Sequence, residues 1–428
     1  MSNWEKPPTS ESKRRAVIAA TIGNMLEAYD FAVYGFFAII ISRLFFPAGN
    51  ETVSLLLTVA TFGGGFIMRP VGAIVIGSFA DRRGRKPALT LTIMLMAIST
   101  AMIGFAPTYS DIGIFAPAII VLARLIQGFS AGGEVGSATA FLVEHAPPGR
   151  RGIFGSMQQA GQAGALLIGS LFGTLITGSM APDMLESWGW RLPFIFGILI
   201  GPVGMYIRSQ TEEGAEYAKS KETAQGSPLM KALRTHRASV LTGFAITIPW
   251  TVCTYFFLVF MPTYAVRELG FVQHQAFIAN SIGLALVLVL APVFGALSDR
   301  VDRKLLIMGG VVAMAIAVYP VLSFLRESPT QTNLIVCQAL FAVLIASFTG
   351  PAPAAMTEVC PPEIRSTGVS IAYSFAVTIF GGFAPFITTW LVSATGQAQA
   401  PAWYIVGTAI LSLALLLTVN PPRNAIHV

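Results

Sequence analysis

An apolar stretch near the start of the chain carries Gly23, Glu27, Asp30 and Tyr34 at i, i+4, i+7 and i+11, which places them on one face of a helix. Two carboxylates and a phenol on such a face can take up and release a proton. Arg69, Arg124 and Glu134 lie well inside other apolar stretches, which makes five buried ionisable groups with Glu27 and Asp30. An ionised side chain at mid-bilayer costs on the order of 3 kcal/mol, so such groups face a bundle interior or a water-filled cavity. All five fall in the first half of the chain. The charges of the second half, such as Arg267, Glu268, Arg326, Glu327 and Glu358, sit near the ends of its apolar stretches.

A carboxylate that is paired with arginine in one conformation and exposed to water in another changes its proton affinity between them. Asp30 is the preferred proton carrier on this basis, with Glu27 next and Glu134 third. The competing reading is a static ion pair that locks helix packing. Arg124 and Gln127 stand one turn apart, and the planar fork of arginine suits a carboxylate. Arg124 can bind a substrate carboxylate or neutralise Asp30 or Glu27; a structural pair with Glu134 is the alternative. Arg69, followed by Pro70, either meets the substrate or bonds to a helix carbonyl. Tyr34, Gln158, Gln162, Tyr255, Asn280 and Tyr373 complete the candidate pocket, although isolated polar groups in spans also serve as packing glue between helices.

Stepping outward to the elements that must hold these groups, composition gives the class. Of 428 residues, 54% are apolar and 11% charged, less than half of the roughly 25% that a soluble domain carries. The chain reads as an all-α integral membrane protein. Twelve stretches of about spanning length lie near 16–40, 53–78, 88–106, 114–144, 152–178, 190–208, 239–263, 275–297, 305–325, 333–357, 366–392 and 402–419. The polar connection 210–237 separates an N-terminal six-helix bundle, 1–209, from a C-terminal one, 238–428. With the N-terminus inside, 21 Lys and Arg fall in inner segments and four in outer ones, so both termini are expected in the cytoplasm. That placement explains the net charge of +6 without nucleic acid. The polar N-terminus with Lys13-Arg14-Arg15 does not read as a cleaved signal.

Three scattered cysteines give no disulfide framework or zinc spacing, and four scattered histidines give no metal set or catalytic relay. No GxxxxGK[ST] loop is present, which argues against ATP drive. No cofactor, metal or enzymatic activity is expected.

The chain also repeats itself. Residues 79–86, Phe-Ala-Asp-Arg-Arg-Gly-Arg-Lys, recur as Leu-Ser-Asp-Arg-Val-Asp-Arg-Lys at 297–304, and Glu144 to Pro148 recurs as Glu358 to Pro362. Both pairs occupy matching topological places, as in parallel repeats whose ligand site lies near the midplane between the halves.

Gly77 to Lys86 resembles the loop signature of the major facilitator superfamily. Gly23-Asn24, Glu27, Asp30-Phe31, Tyr34-Gly35, Arg69-Pro70, Gly72, Arg124, Gln127-Gly128, Gly132-Gly133-Glu134, Gly189-Trp190-Arg191 and Pro193-Phe194 resemble its metabolite:proton symporters. The resemblance implies two pseudo-symmetric six-helix bundles that rock about a central site in the bacterial inner membrane, with Asp81, Arg85 and Asp299 latching the outward-open state. It implies a monomeric carrier whose partners are protons, a small organic anion and the bilayer. The stretch from Thr357-Glu358 through Arg365, Gly368 and Phe380-Gly381-Gly382 looks like the citrate and tricarballylate members, so citrate or a related di- or tricarboxylate is the expected substrate. The alternatives are a zwitterion such as proline or glycine betaine, held by aromatics such as Tyr29, Tyr34, Trp250 and Tyr255, and an efflux antiporter. The short tail after the last span reads against osmotic sensing. Asp302, where the signature prefers Gly, is expected to weaken the second latch, and Ala28 to alter the shape of the pocket.

Overall fold

The computed structural model describes residues 25, 27–83, 85–199, 232 and 234–419. Gly23, Gly84 and most of the 210–237 connection lie outside the described residues. Every regular element among the described residues is a helix. In chain order they give α1 (Glu27–Phe36 with Ala38–Phe45), α2 (Glu51–Ile76), α3 (Thr90–Gly104), α4 (Phe115–Ser130, continuing as Glu134–Glu144), α5 (Arg151–Ser179) and α6 (Gly189–Leu199). Then come α7 (Arg237–Leu269), α8 (Gln273–Leu297), α9 (Arg303–Glu327), α10 (Gln331–Val359), α11 (Pro362–Thr395) and α12 (Pro401–Thr418). Eight of these, α2, α5 and α7 to α12, are each long and apolar enough to cross a membrane, while α1 spans as a bent pair and α3, α4 and α6 are shorter apolar helices.

Four expected spans differ from simple rods. Helix α1 bends by 67° between Phe36 and Ala38, and the rings of Phe36 and Phe37 there pack on Phe277 of α8 with centroids 5.8 and 5.9 Å away. The expected span 114–144 is broken by a 3-10 turn at Ala131–Gly133. Helices α7 and α11 each contain a π-helical segment, Thr254–Phe260 and Val377–Gly381, a feature that often marks functional positions.

Without a hydrophobic drive between helices in lipid, close backbone approach at small residues holds them together. Helices α2 and α4 use this device. A side chain at Gly128 would collide with the carbonyl of Gly65, one at Gly132 with that of Arg69, and one at Gly72 with that of Phe129. The spacing Gly128-x-x-x-Gly132 thus seats α4 on α2 and fixes Arg124 and Arg69 on one paired unit.

Among the described residues the first six helices meet the last six along several seams, α4 on α11 and α5 on α10 among them. Helix α5 lies along α8, where Ser170 bonds to Ser281 at 2.9 Å and the His274 ring nitrogen meets the Thr174 carbonyl at 2.9 Å. Helix α2 meets α11, where Thr378 donates to the Phe66 carbonyl, and α1 meets α7 at Gly35 and Val259. Helix α7 is buried along nearly its whole length. Asp302 has a local role of its own: its carboxylate accepts the Leu305 N–H at 3.0 Å and caps α9.

Candidate functional site

The face read on α1 exists, and its two acids go to different partners. Glu27 and Arg69 form a direct ion pair, with both residues buried. The Arg69 guanidinium packs against the rings of Phe31 and Phe66, 4.9 and 4.8 Å from their centroids. Its Nε finds no hydrogen-bond partner among the described residues. Arg69 therefore bonds to a carboxylate.

Among the described residues Asp30 has no direct ion pair with an arginine. Its carboxylate accepts a hydrogen bond from Thr100 Oγ1 of α3 at 2.9 Å. Gln127 Nε2 donates to the same hydroxyl at 3.1 Å, and Arg124 donates to Gln127 Oε1 at 2.5 Å. A chain of neutral groups thus connects Arg124 to Asp30. Gly197 lets α6 approach here, because an added Cβ would lie 2.7 Å from the Asp30 carboxylate. Arg124 is fully buried, with its guanidinium 4.0 Å from the Tyr34 centroid and about 5 Å from those of Phe31 and Phe62. Such contacts stabilise a desolvated cation by about 2 kcal/mol. Two Arg124 donors, Nε and Nη2, remain without a partner among the described residues. Tyr34 donates to the Thr58 carbonyl at 3.2 Å, so its phenol is committed to α2.

A cavity lies where the two halves meet. Its polar wall is Glu27 from α1, Arg69 from α2, Gln162 from α5, Thr254 and Tyr255 from α7 and Tyr373 from α11. Phe31, Leu166 and Val259 supply apolar wall. About 20 Å³ is open to the centres of water-sized spheres, room for one or two waters and too little for an organic acid. The cavity at the centre is narrow. Arg124 and Asp30 do not line it. Phe31 contributes to the wall and also packs on both guanidinium groups, so it divides the two arginines.

The remaining candidates separate just as clearly. Gln162 lines the cavity, whereas Gln158, one turn away, is bonded by Thr139 of α4 at 2.6 Å. Asn280 donates to Ser170 and to the Leu258 carbonyl, both at 3.3 Å, and its Oδ1 accepts from Gln338 at 3.0 Å. It is packing glue among α5, α7, α8 and α10. Tyr255 and Tyr373 both face the cavity. The side chains of Asp81, Arg85 and Glu134 lie outside the described residues.

At the end of the bundle where the basic loop residues gather, Asp299 accepts the N–H groups of Gly152 and Ile153 at 2.7 and 3.1 Å. A carboxylate at the first turn of α5 meets both unsatisfied donors and the positive end of the helix dipole. Arg303 also bonds Asp299 at 2.6 Å and pairs with Glu358, which approaches Arg151 at 4.0 Å. Arg365 and Glu144 pair across the halves at 3.0 Å. At the opposite end Glu51 pairs with Arg267 of α7 and approaches Arg43, which binds Glu186 at 2.9 Å.

Sequence reasoning missed Thr100, Thr254 and the aromatic wall of Phe31, Phe62 and Phe66. A lone Thr or Phe in a span carries no signal of its own. The Glu144 and Glu358 repeat did carry one, since both members of that duplicated pair turn out to bind arginine across the halves.

Comparison with known proteins follows the same division of the chain. Residues 16–213 match the family model described as Sugar (and other) transporter, and residues 267–427 match Major Facilitator Superfamily. A citrate-proton symporter of Salmonella typhi is 36% identical over 93% of this chain and 92% of its own length. A glycine betaine/proline/ectoine/pipecolic acid transporter, OusA of Dickeya dadantii (strain 3937), is 33% identical over 96% of this chain and 84% of its own. Among solved structures, the partially occluded inward-open xylose transporter XylE from E. coli aligns with a TM-score of 0.75 at 16% identity, covering 98% of this chain and all of that one.

Proposed function

The chain belongs to the major facilitator superfamily, among its metabolite:proton symporters, and on that premise we propose that it carries a small organic acid together with protons by alternating access. The supporting observation is the narrow cavity between the halves, into which Arg69 projects beside the hydroxyl and phenols of Thr254, Tyr255 and Tyr373. Unpartnered donors at Arg69 Nε and Thr254 Oγ1 suit an anion, because each buried donor left unmade costs about 1–3 kcal/mol. Citrate or a related di- or tricarboxylate is the substrate this reading favours, in keeping with the Salmonella typhi relative.

Asp30 serves as the coupling acid. Its link to Arg124 runs through Thr100 and Gln127, so a proton gained or lost at Asp30 is felt at α4 without contact. Alternating access follows by rocking of residues 1–209 against 238–428, with 210–237 as the connection. Asp299 on the first turn of α5, with Asp81 and Arg85, latches the cytoplasmic side. The carrier works as a monomer in the bacterial inner membrane with both termini inside.

A second reading has its own observation. Glu27 beside Arg69, with Phe31, Tyr255 and Tyr373 around them, offers both charges and aromatic faces, as a zwitterion such as glycine betaine requires. Uptake into proteoliposomes under an imposed inward proton gradient separates the two. Citrate accumulation abolished by a protonophore supports the organic-acid reading. Accumulation of glycine betaine alone replaces it.

A further inference from the structure

Arg69 is the one cation that lines the cavity among the described residues, and it is already paired. Its guanidinium packs against the rings of Phe31 and Phe66, and Glu27 is the acid that shares the cavity wall with it. A substrate carboxylate that reaches it must share it with Glu27 or displace Glu27.

We propose that Glu27 and one substrate carboxylate take turns on Arg69, so that one proton enters Glu27 for each substrate molecule the site admits. This inference rests on the organic-acid reading above and adds a second, substrate-linked acid to the coupling acid Asp30. The argument is one of charge in a dry place. The resting pair is neutral. A carboxylate added to it leaves one uncompensated negative charge beside apolar walls, which is strongly disfavoured. A proton taken from water on the entry side onto a Glu27 carboxylate oxygen restores neutrality and frees the guanidinium fork for the substrate. When the substrate leaves, Glu27 loses that proton to water on the exit side and pairs with Arg69 again. No bond other than O–H is made or broken, and the pair closes the site between turnovers.

The surroundings leave this exchange to Glu27. On its own helix the next acid, Asp30, is turned toward Thr100 of α3. Arg69 faces Glu27 from α2, the phenols of Tyr255 and Tyr373 from α7 and α11, and the neutral Gln162 from α5. Arg124 of α4 stands on the other side of Phe31. A zwitterion would behave differently, since its own cation can keep Glu27 ionised and no proton need enter.

The test is proton uptake on ligand binding, measured by titration calorimetry of the purified full-length carrier in two buffers of different ionisation heat. Citrate, 2-oxoglutarate and glycine betaine are the probes. For whichever of the two acids binds, the wild type should take up about one proton more than Glu27→Gln, and the wild-type Kd alone should rise about tenfold per pH unit at alkaline pH. Asp30→Asn should keep the extra proton. Equal uptake by wild type and Glu27→Gln overturns the inference, as does loss of the extra proton in Asp30→Asn. If Glu27→Gln does not fold, infrared difference spectra of wild type and Asp30→Asn decide. A carboxylic-acid band that appears on binding in both supports Glu27, and its absence from both overturns it. Binding of glycine betaine with neither acid bound removes the organic-acid reading itself, a result distinct from acid binding without proton uptake.

Discussion

Glu27 and Arg69 touch each other and both form part of the cavity wall, whereas Asp30 and Arg124 are joined only through Thr100 and Gln127, behind Phe31. Both acids come from one face of α1 and both arginines from the closely packed α2 and α4. The difference is that one bundle holds two charge couples, one direct and one indirect. A direct pair in a cavity can be broken by a ligand that competes for it. An indirect pair behind an aromatic wall is out of a ligand's reach and responds to helix movement and protonation.

The largest effect should come from breaking the direct couple. Arg69→Gln leaves Glu27 buried without its cation, a loss of about 3–5 kcal/mol, so ligand binding measured by calorimetry should vanish. Retained binding would move the substrate to the other arginine. Next, Asp30→Asn should abolish gradient-driven accumulation while substrate counterflow in proteoliposomes continues near the wild-type rate. If accumulation survives, the indirect couple does not carry the proton. Arg124→Gln should also impair accumulation, but its Kd should change by less than about tenfold, because the group does not line the cavity. An affinity loss equal to that of Arg69→Gln would erase the distinction between the couples. Thr100→Val removes one link of the neutral chain, at about 1 kcal/mol, and should slow uptake several-fold with Kd unchanged. Smallest of all, Arg365→Gln removes a partly exposed pair with Glu144, of about 0–1 kcal/mol. It should shift the distance between spin labels at the two halves' cytoplasmic ends only slightly toward opening.

Much of this was open to reading from the chain. Charges inside apolar stretches must face inward, so the α1 face and both arginines were identifiable before any coordinates. What periodicity does not encode is which neighbour a face meets. Glu27 and Arg69 are 42 residues apart and Asp30 and Thr100 are 70 apart, and only helix packing decides those pairings. Gln158 and Gln162 make the point within one helix. They share residue type, spacing and surroundings in sequence, yet one bonds Thr139 and the other lines the cavity, because the first points to α4 and the second to the seam between halves. The 67° bend in α1 and the π-helical segments of α7 and α11 were equally silent, since each depends on what lies against the helix.

The Glu51–Arg267 pair has a consequence for how the two ends of the bundle respond to dissolved ions. Its side chain is 64% exposed and Arg267 is 23% exposed, whereas Asp299 at the other end is only 7% exposed. Dissolved ions screen exposed charges over about 8 Å at physiological strength and reach enclosed ones far less. Raising the salt concentration should therefore weaken the Glu51–Arg267 pair while leaving the Asp299 contacts almost untouched. Dissolved ions thus act unequally on the two ends of the bundle.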